Sequence, residues 1–279
     1  MSRAHEISIL PPQLKKKRLN ILLPILTGLL VSYLCLVFTA LFLSDKMLFP
    51  APPPGYGDND EILKLPLPDG SKVAALHLPN PKARFTLLHS HGNGEDFGYI
   101  RLLLEAYRRF GYAVFAYDYP GYGRSEGVPG EAGCYAAIDA AYLYLTGTLK
   151  VPPESIIAYG RSVGAGPTLD LASRKALGGV ILESAFVSAF RVVSHWPLLP
   201  WDKFPNLRNI TRLSVPLLII HGSEDRIVNF WHGPALYEAA NQPKTALWVE
   251  GAGHNNLIDF AGEQYWNALK NFNRSLPAR

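Results

Sequence analysis

Six short apolar runs that alternate with helical stretches constrain this chain more than any other feature. The runs lie at Phe85–His89, Ala113–Tyr117, Ile156–Tyr159, Val180–Leu182, Leu217–Ile220 and Leu247–Val249. Helices are expected between and after them, at Tyr99–Phe110, Gly133–Leu145, Val163–Lys175, Gly233–Ala240 and Leu257–Asn271. Near-continuous apolar strands separated by helices require a parallel sheet covered on both faces, so the expected class is α/β with a mostly parallel central sheet. Ahead of them, Ile62–Leu67 and Lys72–Leu78 flank a Pro-Asp-Gly turn at 68–70 and read as an antiparallel hairpin. In such a sheet the chemistry belongs at the carboxyl ends of the strands, where the loops lie.

The N-terminal quarter follows other rules. From Ile21 to Leu43 the chain runs 23 residues without a charge, which as a helix spans ~35 Å and exceeds a bilayer core. Pro24 and Gly28 are tolerated in membrane helices. The rival reading, a cleavable signal peptide, requires a shorter apolar core and a small-residue cleavage site, so a retained anchor is expected. Arg3 and the cluster Lys15–Arg18, against Glu6, account for the whole net charge of +4. Their position before the apolar run places the N-terminus in the cytoplasm and the rest of the chain across the membrane. The expected organisation is a basic tail at 1–20, an anchor at 21–43, a Pro/Gly spacer at 44–59 containing FPAPPPGYG, and a catalytic domain at 60–279. Beyond the tail the charges balance, which excludes a nucleic-acid surface as partner. Cys35 and Cys134 form no disulfide framework, no metal-ligand spacing occurs, and no cofactor is expected.

The third central strand ends in Gly160-Arg161-Ser162-Val163-Gly164, a G-x-S-x-G between strand and helix. A serine in that position sits on a tight turn that needs small neighbours, and the adjoining helix start leaves the Val163 N–H free to stabilise an oxyanion. Alone the motif is weak. Other strand ends supply what it lacks. His89-Ser90-His91-Gly92-Asn93-Gly94 offers the Asn93 amide as a second oxyanion donor, or is an ordinary glycine turn. His221-Gly222-Ser223-Glu224-Asp225 offers Asp225 as an acid, with Glu224 as rival. Gly251-Ala252-Gly253-His254 offers His254 as a base. The loop 118–125 reads as a rigid structural turn. Ser162, Asp225 and His254 stand in the order nucleophile, acid, base, each at a strand end.

These stretches carry a family resemblance. HSHGNGED (89–96), YDYPGYGRSEG (117–127), SIIAYGRSVGAGPTLDLASR (155–174), PLLIIHGSEDRIV (216–228) and LWVEGAGHNNL (247–257) resemble the alpha/beta-hydrolase superfamily. Within it they are similar to the membrane-associated serine hydrolases that include the alpha/beta-hydrolase-domain depalmitoylases and the Bem46-like hydrolases. The resemblance implies the alpha/beta-hydrolase fold, Ser162 as nucleophile, Asp225 as acid, His254 as base, and the Asn93 and Val163 amides as oxyanion hole. It also implies a cysteine-rich, lipidated N-terminus on the cytoplasmic leaflet, which this chain replaces with the apolar run.

Between Phe186 and Leu213 the alternation lapses, leaving room for a short cap only. Trp196, Leu198, Leu199, Trp201 and Phe204 there either line an acyl groove or pack the insert onto the core. The expected activity is hydrolysis of acyl esters or thioesters, with a lipid or lipidated protein among the candidate substrates and the membrane as partner. A serine peptidase on the same fold and a catalytically inactive interaction domain are the alternatives.

Overall fold

The computed structural model describes residues 12–59 and 61–277, with side chains from Leu22 onward. Residues 1–11 of the basic tail, and Asp60 at the expected domain start, lie outside the described residues. The chain divides into two compact units, residues 1–47 and 48–279.

The first unit is dominated by α1 (Pro12–Phe42), followed by the short α2 (Ser44–Leu48). α1 passes through Pro24 without ending. Its helical backbone begins well before the apolar run, so the expected boundary at residue 21 is not a break in structure. Leu22–Phe42 has a mean hydropathy of 2.3 over 21 residues and presents apolar side chains all round, Leu23 at 62% and Phe42 at 69% exposure. By length and composition it can cross a membrane.

The second unit is an alpha/beta-hydrolase fold. Its strands are β1 (Ile62–Pro66), β2 (Lys72–Leu78), β3 (Thr86–Ser90), β4 (Ala113–Tyr117), β5 (Ile156–Arg161), β6 (Gly179–Glu183), β7 (Leu217–Gly222) and β8 (Lys244–Val249), in one sheet of order β1-β2-β4-β3-β5-β6-β7-β8. The hairpin β1–β2 and the β2–β4 pair are antiparallel, and the remaining five pairs are parallel. The helices are α3 (Arg101–Phe110), α4 (Glu131–Leu143), α5 (Ala165–Ala172), α6 (Asn206–Ile210), α7 (His232–Ala239), α8 (Leu257–Ala261) and α9 (Glu263–Ser275). The two-residue period of the strands divides their side chains between two cores. Ile156 and Ala158 join the core built with Ala137, Leu169, Ile210 and Leu236 of α4–α7, while Ile157 and Tyr159 join the one built with Leu104 of α3 and Leu269 and Phe272 of α9. Helices therefore cover both faces, and the strand ends between them remain accessible.

Two expectations are corrected. The single helix expected at Leu257–Asn271 is broken into α8 and α9 at Gly262, whose φ of +50° a helix cannot contain. The segment read as a spacer is, from Leu48 onward, part of the second unit. Phe49 is buried beside Phe204, the Pro53 carbonyl accepts from Tyr99 Oη at 2.9 Å, and the Gly55 amide donates to Asp96 at 2.7 Å. Tyr56 stacks on Phe97 at 4.1 Å and its hydroxyl donates to Asp118 at 2.5 Å. Proline and glycine rule out helix or central strand here, but they leave carbonyls and rings unused by regular structure and free for such contacts.

Candidate active site

β5 runs directly into a tight turn, Ser162–Gly164, before α5. Ser162 adopts φ +51°, a conformation that costs a non-glycine residue on the order of 1–3 kcal/mol and persists only where the surroundings enforce it. The flanking glycines are the enforcement. A Cβ on Gly160 would lie 2.6 Å from the Gly164 carbonyl oxygen and 2.7 Å from Thr168 Oγ1, and one on Gly164 would collide with the Ser90 carbonyl of β3. No side chain fits at either position unless strand and helix separate.

The structure brings Ser162, His254 and Asp225 into one line. His254, in the loop after β8, places Nε2 3.1 Å from Ser162 Oγ and Nδ1 2.7 Å from Asp225 Oδ2. A carboxylate only accepts, so Nδ1 carries the proton and Nε2 is left to accept from the serine. Asp225, after β7, is buried, and its Oδ1 accepts the Ile227 and Val228 amides at 2.9 and 2.8 Å. His221 Nε2 donates to the Val228 carbonyl at 2.9 Å and passes 3.4 Å from Asp225 Oδ2. Burial pushes the Asp225 carboxyl up, but the hydrogen bonds of His221, His254 and the Val228 amide outweigh it and hold the group well below the usual carboxylate range. Glu224, the rival acid, is exposed on the same turn.

Asn93 and Val163 stand on the loops expected for the oxyanion donors. Gly92 N donates to Glu95 at 2.7 Å and Gly94 N to the Asn93 side chain at 2.9 Å. Among the described residues the Asn93 amide between them donates to no protein acceptor. The Asn93 side chain is fixed by Tyr122 Oη at 2.7 Å and by donation to the Leu48 carbonyl at 2.6 Å. Loop 118–125 is thus a support for the glycine-rich loop, and Tyr119 Oη adds a bond to the His91 carbonyl at 2.7 Å.

The apolar insert divides into two populations. Phe204 is fully buried against Gly166, Tyr135 and Phe186, so its place is the core and not a groove. Trp196, Leu199 and Trp201 belong to a loop closed at its base by Ala189 N to Lys203 O at 2.8 Å and by Asp202 accepting from Ser188 and Phe190. Trp196 is 71% exposed and meets His195 edge-on.

Sequence reasoning missed the residues that tie the loops together. Arg161 reaches Glu95, Glu183 and Asn255, and these partners are 22 to 94 positions away in the chain. Only the charge of Arg161 beside the serine signals it. The four groups wall a cavity of about 310 Å³ together with His89 and His254. His89 is wholly buried, both ring nitrogens lack a partner among the described residues, and burial pushes its pKa down to about 3, so the ring is neutral.

Fold and strand-end geometry together define an alpha/beta hydrolase. The family model described as serine aminopeptidase, S33, matches residues 81–204. The chain is 42% identical over 207 residues to alpha/beta hydrolase domain-containing protein 17B of Homo sapiens, covering 73% of this chain and 71% of the relative. It is 44% identical over 195 residues to the 17C protein of Mus musculus, covering 69% and 60%. Among solved structures, a Pyrococcus furiosus esterase superposes with a TM-score of 0.68 at 18% identity, over 82% of this chain and 98% of the other. A Rhodococcus esterase does so with 0.59 at 19%, over 78% and 100%. The chain belongs to the alpha/beta-hydrolase family and resembles its depalmitoylase-like branch, as residues 89–96 and 155–174 imply.

Proposed function

We propose that the chain is a membrane-anchored serine hydrolase that cleaves acyl esters or thioesters through an acyl-enzyme. The observation that carries this reading is the continuous hydrogen-bonded line Ser162–His254–Asp225. Ser162 Oγ attacks the acyl carbonyl carbon as its proton passes to His254 Nε2, while Asp225 holds the ring and stabilises the imidazolium. The carbonyl oxygen becomes an oxyanion that accepts from the Asn93 and Val163 amides. Collapse breaks the bond to the alcohol or thiol, which leaves with the proton from His254. Water then loses a proton to His254 and attacks the ester carbon, releasing the acid and restoring Ser162. Trp196 and Trp201, whose rings are exposed, and the half-buried Leu199 are proposed to receive the acyl chain, on the strength of their apolar character in the short cap.

The basic flank of α1 favours insertion with the N-terminus in the cytoplasm and the hydrolase unit on the far side. Lipids, lipoproteins and diffusing esters there are the substrates within reach.

The match to the serine aminopeptidase model favours a second reading, peptide hydrolysis by the same triad. Fluorophosphonate labelling of the wild type and of Ser162→Ala, followed by turnover of p-nitrophenyl esters against p-nitroanilides, tests both. Labelling and ester turnover should vanish together in the variant, with a loss of ~10³ or more in rate. A variant that keeps wild-type turnover sinks the nucleophile assignment, and preference for the anilide selects the peptidase. For sidedness, an export-dependent reporter behind the C-terminus should be active, and an inactive reporter reverses the orientation.

A further inference from the structure

We propose that Arg161 is a positioning residue, a clasp that sets the spacing between the oxyanion loop and the base loop on either side of Ser162. The inference rests on the Ser162 reading above. Arg161 is the last residue of β5, and its side chain is 14% exposed. Every guanidinium nitrogen is used. Nη1 donates to Glu95 Oε1 at 2.8 Å and Nε to Glu183 Oε1 at 3.2 Å, while Nη2 donates to Asn255 Oδ1 at 2.9 Å and to the His254 carbonyl at 3.3 Å.

Two arms end on different loops and the third on the last residue of β6. Glu95 Oε1 also accepts the Gly92 amide at 2.7 Å, so the first arm reaches the residue before Asn93. A Cβ on Gly92 would stand 2.8 Å from Glu95 Oε1 and 3.0 Å from Arg161 Nη1, so a side chain there would displace the ends of both. The second arm reaches the base loop, at the backbone carbonyl of His254 and the side chain of Asn255. The third is rooted in the core, because Glu183 Oε2 is bonded by Tyr159 and by Tyr265, which pairs with Tyr107 at 2.6 Å.

The electrostatics favour a geometric role over a stabilising one. Burial works against the Arg161 charge, and the carboxylates of Glu95 and Glu183 more than compensate, so it stays protonated. Buried ion groups of this kind add little net stability against apolar packing, whereas a planar fork with fixed donors holds its partners at set positions. A lysine keeps the charge but presents one compact ammonium that cannot hold two loops and a strand end at once. With the clasp cut, Asn93 and His254 lose their common reference, and a misplacement of ~1 Å at reacting groups costs on the order of 10²-fold in rate.

The test uses the full chain in detergent, with active sites counted by fluorophosphonate titration and turnover followed on a p-nitrophenyl ester. Arg161→Lys, Glu95→Ala and Asn255→Ala should each lower kcat per titrated site by about 10- to 100-fold with KM changed less than about threefold. Arg161→Lys combined with Glu95→Ala should be little worse than either alone, because both cut the same link. If Arg161→Lys does not fold, Glu95→Ala and Asn255→Ala decide, since each leaves the arginine in place. Variants that lose only titratable sites or thermal stability, with kcat per site unchanged, overturn the clasp and leave Ser162 as nucleophile. A wild type that neither labels nor turns over overturns the Ser162 reading, and the clasp's purpose with it.

Discussion

Asp225→Asn probes the site most sharply, because the structure dictates which way the new amide must point. Asp225 Oδ1 accepts the Ile227 and Val228 amides at 2.9 and 2.8 Å, and Oδ2 accepts His254 Nδ1 at 2.7 Å. An asparagine keeps its single oxygen on the two amides, since turning it round would set its NH₂ against two N–H donors. The NH₂ then faces His254 Nδ1, which must become an acceptor, so the ring proton moves to Nε2 and points at Ser162 Oγ. A ring in that tautomer cannot take the serine proton. Expected is a loss of kcat on the order of 10⁴-fold, or about 5 kcal/mol at 1.36 kcal/mol per decade. The assay is turnover of a p-nitrophenyl ester by wild type, Asp225→Asn and Glu224→Gln, with circular dichroism to check folding. Glu224→Gln should stay near wild type because Glu224 is exposed and off the line. Retention of more than about a tenth of wild-type kcat by folded Asp225→Asn refutes the tautomer argument, and a larger loss in Glu224→Gln moves the acid to that residue.

Two further changes test the scaffold. Burial pushes the Asp118 carboxyl up to about 8 against the hydrogen bonds of Tyr56 and the Phe97 amide, so the folded protein binds a proton there that the unfolded chain releases near pH 4. Stability from that proton is present below pH ~4 and is lost as pH rises toward 8, so Asp118→Asn, an isostere of the neutral acid, should gain in Tm relative to wild type between pH 5 and pH 9; parallel Tm curves would refute the assignment. Phe204→Ala removes a fully buried ring that rests on Gly166 and meets Phe49 at 6.1 Å and Tyr135 at 5.7 Å, and should cost about 3–5 kcal/mol in urea unfolding; a loss under 1 kcal/mol would return Phe204 to the surface.

What the sequence made legible was chemistry that is local in the chain. The parallel sheet could be read because buried strands leave apolar runs, and its hairpin start because Pro68-Asp69-Gly70 is a turn whatever surrounds it. That Ser162, Asp225 and His254 would meet was legible because each follows a strand end on the same side of the sheet. Phe204 and Trp196 could not be told apart by the same means. Both are aromatic residues of one apolar stretch, yet a φ of +50° at Phe204 accompanies a ring seated over Gly166, while Trp196 stays in solvent. Arg161 was invisible for a related reason: its identity as a clasp lies in Glu95, Glu183 and Asn255, and no period or motif joins those positions.

The segment before β1 shows how composition misleads about boundaries. Pro52, Pro53, Pro54 and Gly55 disfavour regular structure, and a segment without helix or strand reads as a linker. Absence of regular hydrogen bonds is not absence of bonds. The Pro53 carbonyl, the Gly55 amide and the Tyr56 hydroxyl all find partners, on Tyr99, Asp96 and Asp118, and the Leu48 carbonyl takes the Asn93 side-chain amide. Asp118 in turn bonds the Phe97 amide, and Tyr122 in the same loop bonds Asn93. The proposed oxyanion donor is therefore held from two sides, by the turn after β4 and by the stretch that precedes β1. Physically the hydrolase unit begins at Leu48, because from that residue onward the backbone carries part of the support for Asn93.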